Sequence, residues 1–477
     1  MTGCIFIYLC CVLLRLAQYL APLLNDMIRR VVLLCTLLSF CVFDVLAQKE
    51  KDLVELNDDQ VDFVEDSLVV DEYFEGNYLR YEDFIYDENI KTAMLYRNGW
   101  PLSSPILELS TGEELKLSFD DLSKEVRSYN YTIVHCSKNW EESDLMDMDY
   151  VDGFVENEIT EYRYSLNTFQ EYTHFNLVFP NEDMRIRISG NYLLVVYTDG
   201  NKENVVLTKR FMVVEPKVNV LPIVKRATLL DDRNYKQEID FTIMHEGYTI
   251  SDPYSEIYVV ITQNNRWDNA IRGLQPLFVR SDELIYDYDR ENVFTAGNEF
   301  RHFSTRSFRY RSERVAANIV DSTYNHVHLI PDQKRSFLKY STQSDINGRF
   351  FIKNEEGNDA EVDADYAYVY FTLPYDAPMI NGDIYLLGEL NNWVMNKTSK
   401  MEYNYKKKTY EKKLMLKQGY YEYQYVYKED GQAAGDETLI EGSHYDTENE
   451  YTIYVYDSSL RNNYDQLIAV KKFGTRY

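Results

Sequence analysis

Apolar and polar residues alternate with a period of two along most of the chain beyond residue 85. Leu115, Leu117 and Phe119 face one way and Lys116 and Ser118 the other, and Tyr129, Tyr131, Ile133 and His135 repeat the pattern. Such alternation predicts half-buried strands, because successive side chains of an extended backbone point to opposite faces. Further strands are expected at Phe175–Phe179, Tyr192–Tyr197 and Val205–Val213, with a continuous apolar run at Ile257–Ile261. Turn signals at Ser110-Thr111-Gly112, Pro180-Asn181, Ser189-Gly190 and Asp199-Gly200 separate them, as in antiparallel sandwiches. No segment carries a helix-length apolar stripe. The chain therefore reads as all-β, a tandem array of antiparallel immunoglobulin-like β-sandwich domains.

Its 477 residues suit two to four domains. Glu215-Pro216 ends a first sandwich over 86–216, since proline cannot continue a central ladder. A middle sandwich is expected over 217–365, with strands near Ile239–Ile243, Phe278, Phe308 and Phe350. The acidic stretch Gly357–Asp365 reads as a linker into a third sandwich over 366–477.

The first 47 residues break this pattern with a hydrophobic density found nowhere else. Met27, Arg29, Arg30, the apolar Val31–Val45 and the exit Val45-Leu46-Ala47 have the order of a secretory leader. Residues 27–47 are expected to be a signal peptide cut between Ala47 and Gln48, and 1–26 an upstream mis-called start. Cys41 follows the bulky Phe40, which argues against a lipid anchor. Cys136 alone lies beyond residue 47, so neither an internal disulfide nor a cysteine-based zinc site is expected. Residues 48–85, rich in Asp and Glu, read as an extended acidic arm.

The formal charge is −28, and removal of the leader, with three basic and two acidic residues, leaves it as acidic. Nucleic acid and anionic lipid are poor partners for such a chain. Two segments reverse the sign: Arg301, Arg306, Arg309, Arg311 and Arg314 interleave with aromatic residues, and Lys406–Lys408 with Lys412 and Lys413 crowd one hairpin. They read either as contacts for an acidic partner or as charges neutralising nearby carboxylates. His326-Val327-His328 places two imidazoles on one strand face, but no further ligand at matching spacing completes a metal site. No nucleophile elbow, HExxH, P-loop or nucleotide-binding turn occurs, so no catalytic, cofactor-binding or metal residues are assigned.

Ile384–Trp393, ending Gly388-Glu389-Leu390-Asn391-Asn392-Trp393, and the strand Gly419-Tyr420-Tyr421-Glu422-Tyr423-Gln424-Tyr425 resemble the early-set immunoglobulin-like domains of glycogen- and starch-acting enzymes. Leu390 stands where those domains have phenylalanine. Trp393, Tyr421, Tyr423 and Tyr425 are thus candidate contacts for a glycan or a protein partner, as are Arg306, Arg309 and Arg311; the tyrosines equally fit the inner face of a sandwich. With 43 tyrosines against 23 phenylalanines, part of the aromatic surface is expected to meet a partner.

A longer resemblance runs from residue 86 onward. Ser104–Leu109, Glu114–Leu122, Tyr131–Cys136, Tyr150–Phe154, Tyr172–Phe175, Phe179–Asp183, Ser189–Leu194 and Arg210–Pro216 occur in the order of the type IX secretion system plug protein family. The resemblance implies a non-enzymatic periplasmic protein without cofactors. It would reversibly close the periplasmic opening of an outer-membrane translocon β-barrel, held there by that protein partner and not by a lipid anchor. The alternative is a periplasmic or surface glycan-binding protein.

Overall fold

The computed structural model describes residues 78–123 and 127–475. The expected leader with its Ala47/Gln48 cleavage, and residues 48–77 of the acidic arm, lie outside the described residues. The predicted strands form, except that Phe308 lies in the loop after Arg301–Ser304, and they pair into several mainly antiparallel sheets.

In the first sandwich, one sheet runs Phe84–Ile85, Val205–Val214, Gly190–Thr198, Tyr129–Cys136 and Asn157–Glu158, with Ile106–Glu108 added in parallel. The facing sheet runs Ile90–Arg97, Leu115–Asp121, Thr173–Phe179 and Glu161–Tyr164. Register follows the alternation: Leu115, Leu117 and Phe119 lie opposite Phe179, Leu177 and Phe175, all buried. The Phe119 and Phe175 rings stack with centroids 5.2 Å apart.

The second sandwich differs from the expected 217–365. One sheet is Asn219–Arg226, Lys236–Met244, Glu283–Tyr286 and Phe278–Val279. The other is Arg266–Arg272, Ile257–Gln263, Glu450–Asp457 and Gln466–Gly474, so the last two strands of the chain return to close it. Tyr451, Ile453, Val455, Ile468 and Phe473 share one core with Val220, Ile239, Phe241 and Ile261. The third sandwich is inserted between these halves. It packs Arg301–Ser304, Gly419–Glu429, Phe350–Ile352 and Gly382–Leu387 on Val315–Val320, Asn325–Leu329, Tyr366–Pro374, Thr409–Lys417 and Glu402–Asn404. Phe308 and Phe350, expected in the middle domain, belong to this third core. The expected break at 365/366 thus falls inside one domain. Periodicity marks a strand but carries no information about which core it joins.

The first two sandwiches stack face to face. Leu193, Val195, Tyr197, Met212 and Val214 on the outside of the first meet Val260, Tyr454, Tyr456 and Leu467 on the outside of the second. All nine residues of Gly190–Thr198 are buried as a result. Trp140 and Trp267 meet edge to face at 5.4 Å across the same seam, and the Arg210 guanidinium lies 4.4 Å over Trp140. The end of the expected arm is docked here too. Phe84–Ile85 pair with Val205–Val214, and an Asp83 carboxylate oxygen accepts the Arg210 backbone N–H at 2.6 Å. Among the described residues no helix is long and apolar enough to cross a membrane.

A fragment of residues 366–477 should not fold, because it splits two cores. Circular dichroism melting should show no cooperative transition for it, and a cooperative one for residues 299–447, which hold the third core intact.

Candidate interaction site

The strand Gly419–Glu429 lies in the interior of the third sandwich, paired along both edges. Tyr421, Tyr423 and Tyr425 are at most 2% exposed, so they cannot offer a platform to a glycan or a partner. Their rings pack on Phe303, Phe350 and Phe371. Their hydroxyls donate to the Lys417 carbonyl at 2.5 Å and to Asp332 at 2.6 and 2.8 Å. Tyrosine in place of phenylalanine here satisfies a buried carboxylate, which accounts for part of the tyrosine excess without a partner. Trp393 is half-buried, edge-on to Phe300 at 5.8 Å. Its ring closes on Gly348, whose φ is +77°; a Cβ there would stand 2.3 Å from the indole. Trp393 is therefore a wedge in a turn and not a free aromatic face.

The predicted arginines separate. Arg301 is buried: Nε donates to Glu441 at 2.9 Å and Nη1 to Asp332 at 2.9 Å. Glu441 also takes Arg335, and these two guanidiniums outweigh its burial and hold its carboxyl below the ordinary range. Arg306 lies 3.4 Å from Glu355. Arg309 and Arg311 are exposed, with no ion pair among the described residues. In the lysine hairpin, Lys407 pairs with Glu411 at 2.8 Å, Lys412 donates to the Lys397 carbonyl at 3.1 Å and Lys413 covers the Tyr368 ring at 3.6 Å, whereas Lys406 and Lys408 are exposed.

A second set of charges joins the first sandwich to the third, and sequence reading missed it. Asp120, His174 and Lys116 alternate with core residues and so point away from the first core. Third-domain residues cover them. Asp120, 0% exposed, accepts Lys417 Nζ at 2.7 Å, Tyr366 OH at 2.6 Å and His174 Nδ1 at 2.6 Å. Lys417 also donates to the Glu361 carbonyl at 2.8 Å, and Lys116 reaches the Glu361 carboxylate at 2.6 Å. Burial would raise the Asp120 pKa, but Lys417 and His174 together bring it below its ordinary value. Glu361 is likewise lowered to about 2, Lys116 and His174 outweighing its burial. The signal was present only as polar residues on a strand's outer face, which solvent would suit equally.

Other carboxyls move the opposite way. Burial, reinforced by the Asp345 charge, pushes Glu422 up to about 8, although it accepts the Ile346 and Gly348 backbone N–H groups at 2.9 and 3.0 Å. Burial also pushes Glu299 to about 7. One acidic trio could hold a cation by geometry: Glu238, Asp240 and Asp287. Lys225 Nζ already stands among them, 3.0 Å from Glu238 and 3.2 Å from Asp287 and in contact with Asp240. The ammonium supplies the cation. His326 spends its two nitrogens on Asp321 at 2.8 Å and the Tyr370 hydroxyl at 3.0 Å, while His328 stacks on Tyr370. The pair thus has structural uses.

Residues 90–215 match the family model of the Type 9 secretion system plug protein 1st domain. A crystal structure of a hypothetical protein from Parabacteroides merdae is 35% identical, covers 83% of this chain and 100% of its own, and superposes with a TM-score of 0.81. An alkylpurine DNA glycosylase, AlkC, from Pseudomonas fluorescens (12% identity, 26% of this chain and 30% of its own, TM-score 0.16) carries no argument. Nor does the alpha-2-macroglobulin of Escherichia coli spanning domains NIE-MG1 (10% identity, 43% and 91%, TM-score 0.15). No curated protein matches.

Lys417→Met should cost about 3–5 kcal/mol in denaturant unfolding, because it strands Asp120 in the interface. Adding Asp120→Asn should recover most of that loss. Asp120 has a lowered folded pKa, so its contribution is present above its ordinary value of 3.8 and is lost as pH falls through the folded value. Glu422 runs in reverse, and stability is lost as pH rises from its ordinary 4.5 through about 8. Glu422→Gln keeps an oxygen for the two backbone donors and does not titrate. Its melting temperature should therefore gain on the parent's progressively between pH 5 and 8, with little difference at pH 4.

Proposed function

Because this chain belongs to the same family as the Parabacteroides merdae protein and carries a type 9 secretion system plug protein first domain, we propose that it is a non-enzymatic plug. In this reading it works in the periplasm and reversibly seals the periplasmic opening of the outer-membrane translocon barrel of that secretion system. The plug-domain match over residues 90–215 is the observation that carries the proposal.

The architecture suits the task physically. A body that closes a wide pore against leakage must not hinge. Here the first two sandwiches share a buried aromatic seam, the third is connected to the second by two chain crossings, and buried charges tie it to the first. A seal that must also open needs a broad, wettable surface more than a greasy permanent one, and a mixed polar and aromatic exterior fits that requirement. We further propose that the third sandwich is related to early-set immunoglobulin-like domains. The glycan-binding alternative loses its main support, since its tyrosine platform is internal.

Affinity purification of the translocon barrel from cells should bring this chain with it. Deleting the gene should make the outer membrane leakier to large hydrophilic solutes, read by periplasmic entry of a bulky antibiotic. A barrel that purifies without the chain, together with unchanged permeability, would refute the plug reading.

A further inference from the structure

The loop leading from Arg301–Ser304 and the long irregular segment after Asn325–Leu329 reverse the sign of the chain. Residues 301–339 hold eight Lys and Arg against three acidic residues, in a protein of formal charge −28. A cleft of about 760 Å³ opens between them. At its base, Arg301, Arg314 and Arg335 face only two carboxylates, Asp332 and Glu441. Asp332 and Glu441 are themselves buried, and Asp332 takes two tyrosine hydroxyls besides. Within this buried cluster alone, one positive charge is left in excess.

That excess centres on Arg314. Arg301 uses all three of its nitrogens, on Glu441, Asp332 and the Gln333 carbonyl. Arg314 reaches Asp332 and the Ile330 carbonyl through Nη2 alone, at 2.8 and 3.3 Å. Its Nε and Nη1 have no partner among the described residues, and its side chain is 37% exposed at the cleft. The loop leading to it presents the exposed, unpaired Arg309 and Arg311. Glu313 on the rim opposes this charge, with His302 2.9 Å from it, and Glu355 and Glu356 lie beside the loop, against Tyr310 and Ser307. The cleft is not simply cationic: Ile330, Pro331 and Leu338 line it alongside Gln343 and Ser344.

We propose that this cleft binds an acidic segment of another polypeptide, its carboxylates on Arg314 and the Arg309/Arg311 loop and its apolar side chains on Ile330 and Leu338. Guanidinium forks match carboxylates in geometry. Dense polyanions are disfavoured, because the field of the whole chain repels them over longer range and an apolar wall offers them nothing. This goes beyond the plug reading, since it names a ligand chemistry that does not depend on the barrel being the partner.

The test is fluorescence anisotropy of the full chain with a labelled octapeptide alternating aspartate and leucine, in low salt. Binding should weaken as salt rises. It should be at least tenfold weaker for the asparagine–leucine counterpart, for Arg314→Gln, and for Arg309→Gln/Arg311→Gln, whose exposed positions leave the fold intact. No binding at millimolar peptide overturns the proposal, as does equal affinity for the asparagine peptide or unchanged affinity in both variants. Displacement by equimolar pyrophosphate, or preferential binding of phosphatidylglycerol vesicles, assigns the cleft to phosphate or to a membrane surface and equally overturns it.

Discussion

In the first sandwich, the strand Gly190–Thr198 has no solvent face, and the rest of the molecule is arranged around that fact. Tyr192, Leu194 and Val196 fill one core while Leu193, Val195 and Tyr197 belong to the seam with the second sandwich. Each large apolar side chain left in water forfeits about 1.5–3 kcal/mol. Opening the seam would expose Leu193, Val195, Tyr197, Met212 and Val214 on one side alone, on the order of 10 kcal/mol by the same figure. Whole domains are typically stable by about 5–15 kcal/mol, so separating the sandwiches costs as much as unfolding one. The second sandwich is thereby obligatory, and its own sheet at the seam is completed only by the final two strands. The chain must finish before its middle can be stable.

The third sandwich is attached by different physics. Its contact with the first runs through Asp120, Lys417, His174 and Glu361, a polar junction with few apolar side chains. Buried ion pairs contribute little net stability once desolvation is counted, but they penalise every arrangement that leaves one charge unpaired. Register and orientation follow from that penalty. Tyrosine serves the same end inside the third domain, where ring packing and a hydroxyl bound to Asp332 come from one side chain. An apolar seam on one side, a charge-locked junction on another and two chain crossings into the insert hold the three described sandwiches against hinging. That stiffness suits the plug role proposed for the chain.

The sequence by itself determined the strands, because period two is a local property of an extended backbone. It also held a signal for the seam: the unbroken runs Tyr192–Tyr197 and Ile257–Ile261 are what a strand buried on both faces requires, and both proved to be such strands. The plug-family resemblance was legible in the first domain for the same local reason, in motifs within single strands and turns. Only the tertiary structure decided which core each strand joins. Tyr451–Tyr456 alternates in the same way whether it closes a third domain or returns to the second, and the difference lies in a pairing with Ile257–Gln263 some 190 residues away. It also decided the fate of polar positions. Nothing local to Asp120 or Lys417 marks them as buried, and Tyr421, Tyr423 and Tyr425 read as either core or platform, because a pattern of polarity tells which side of a strand differs from the other. What finally covers each side is a long-range packing question that no local pattern contains.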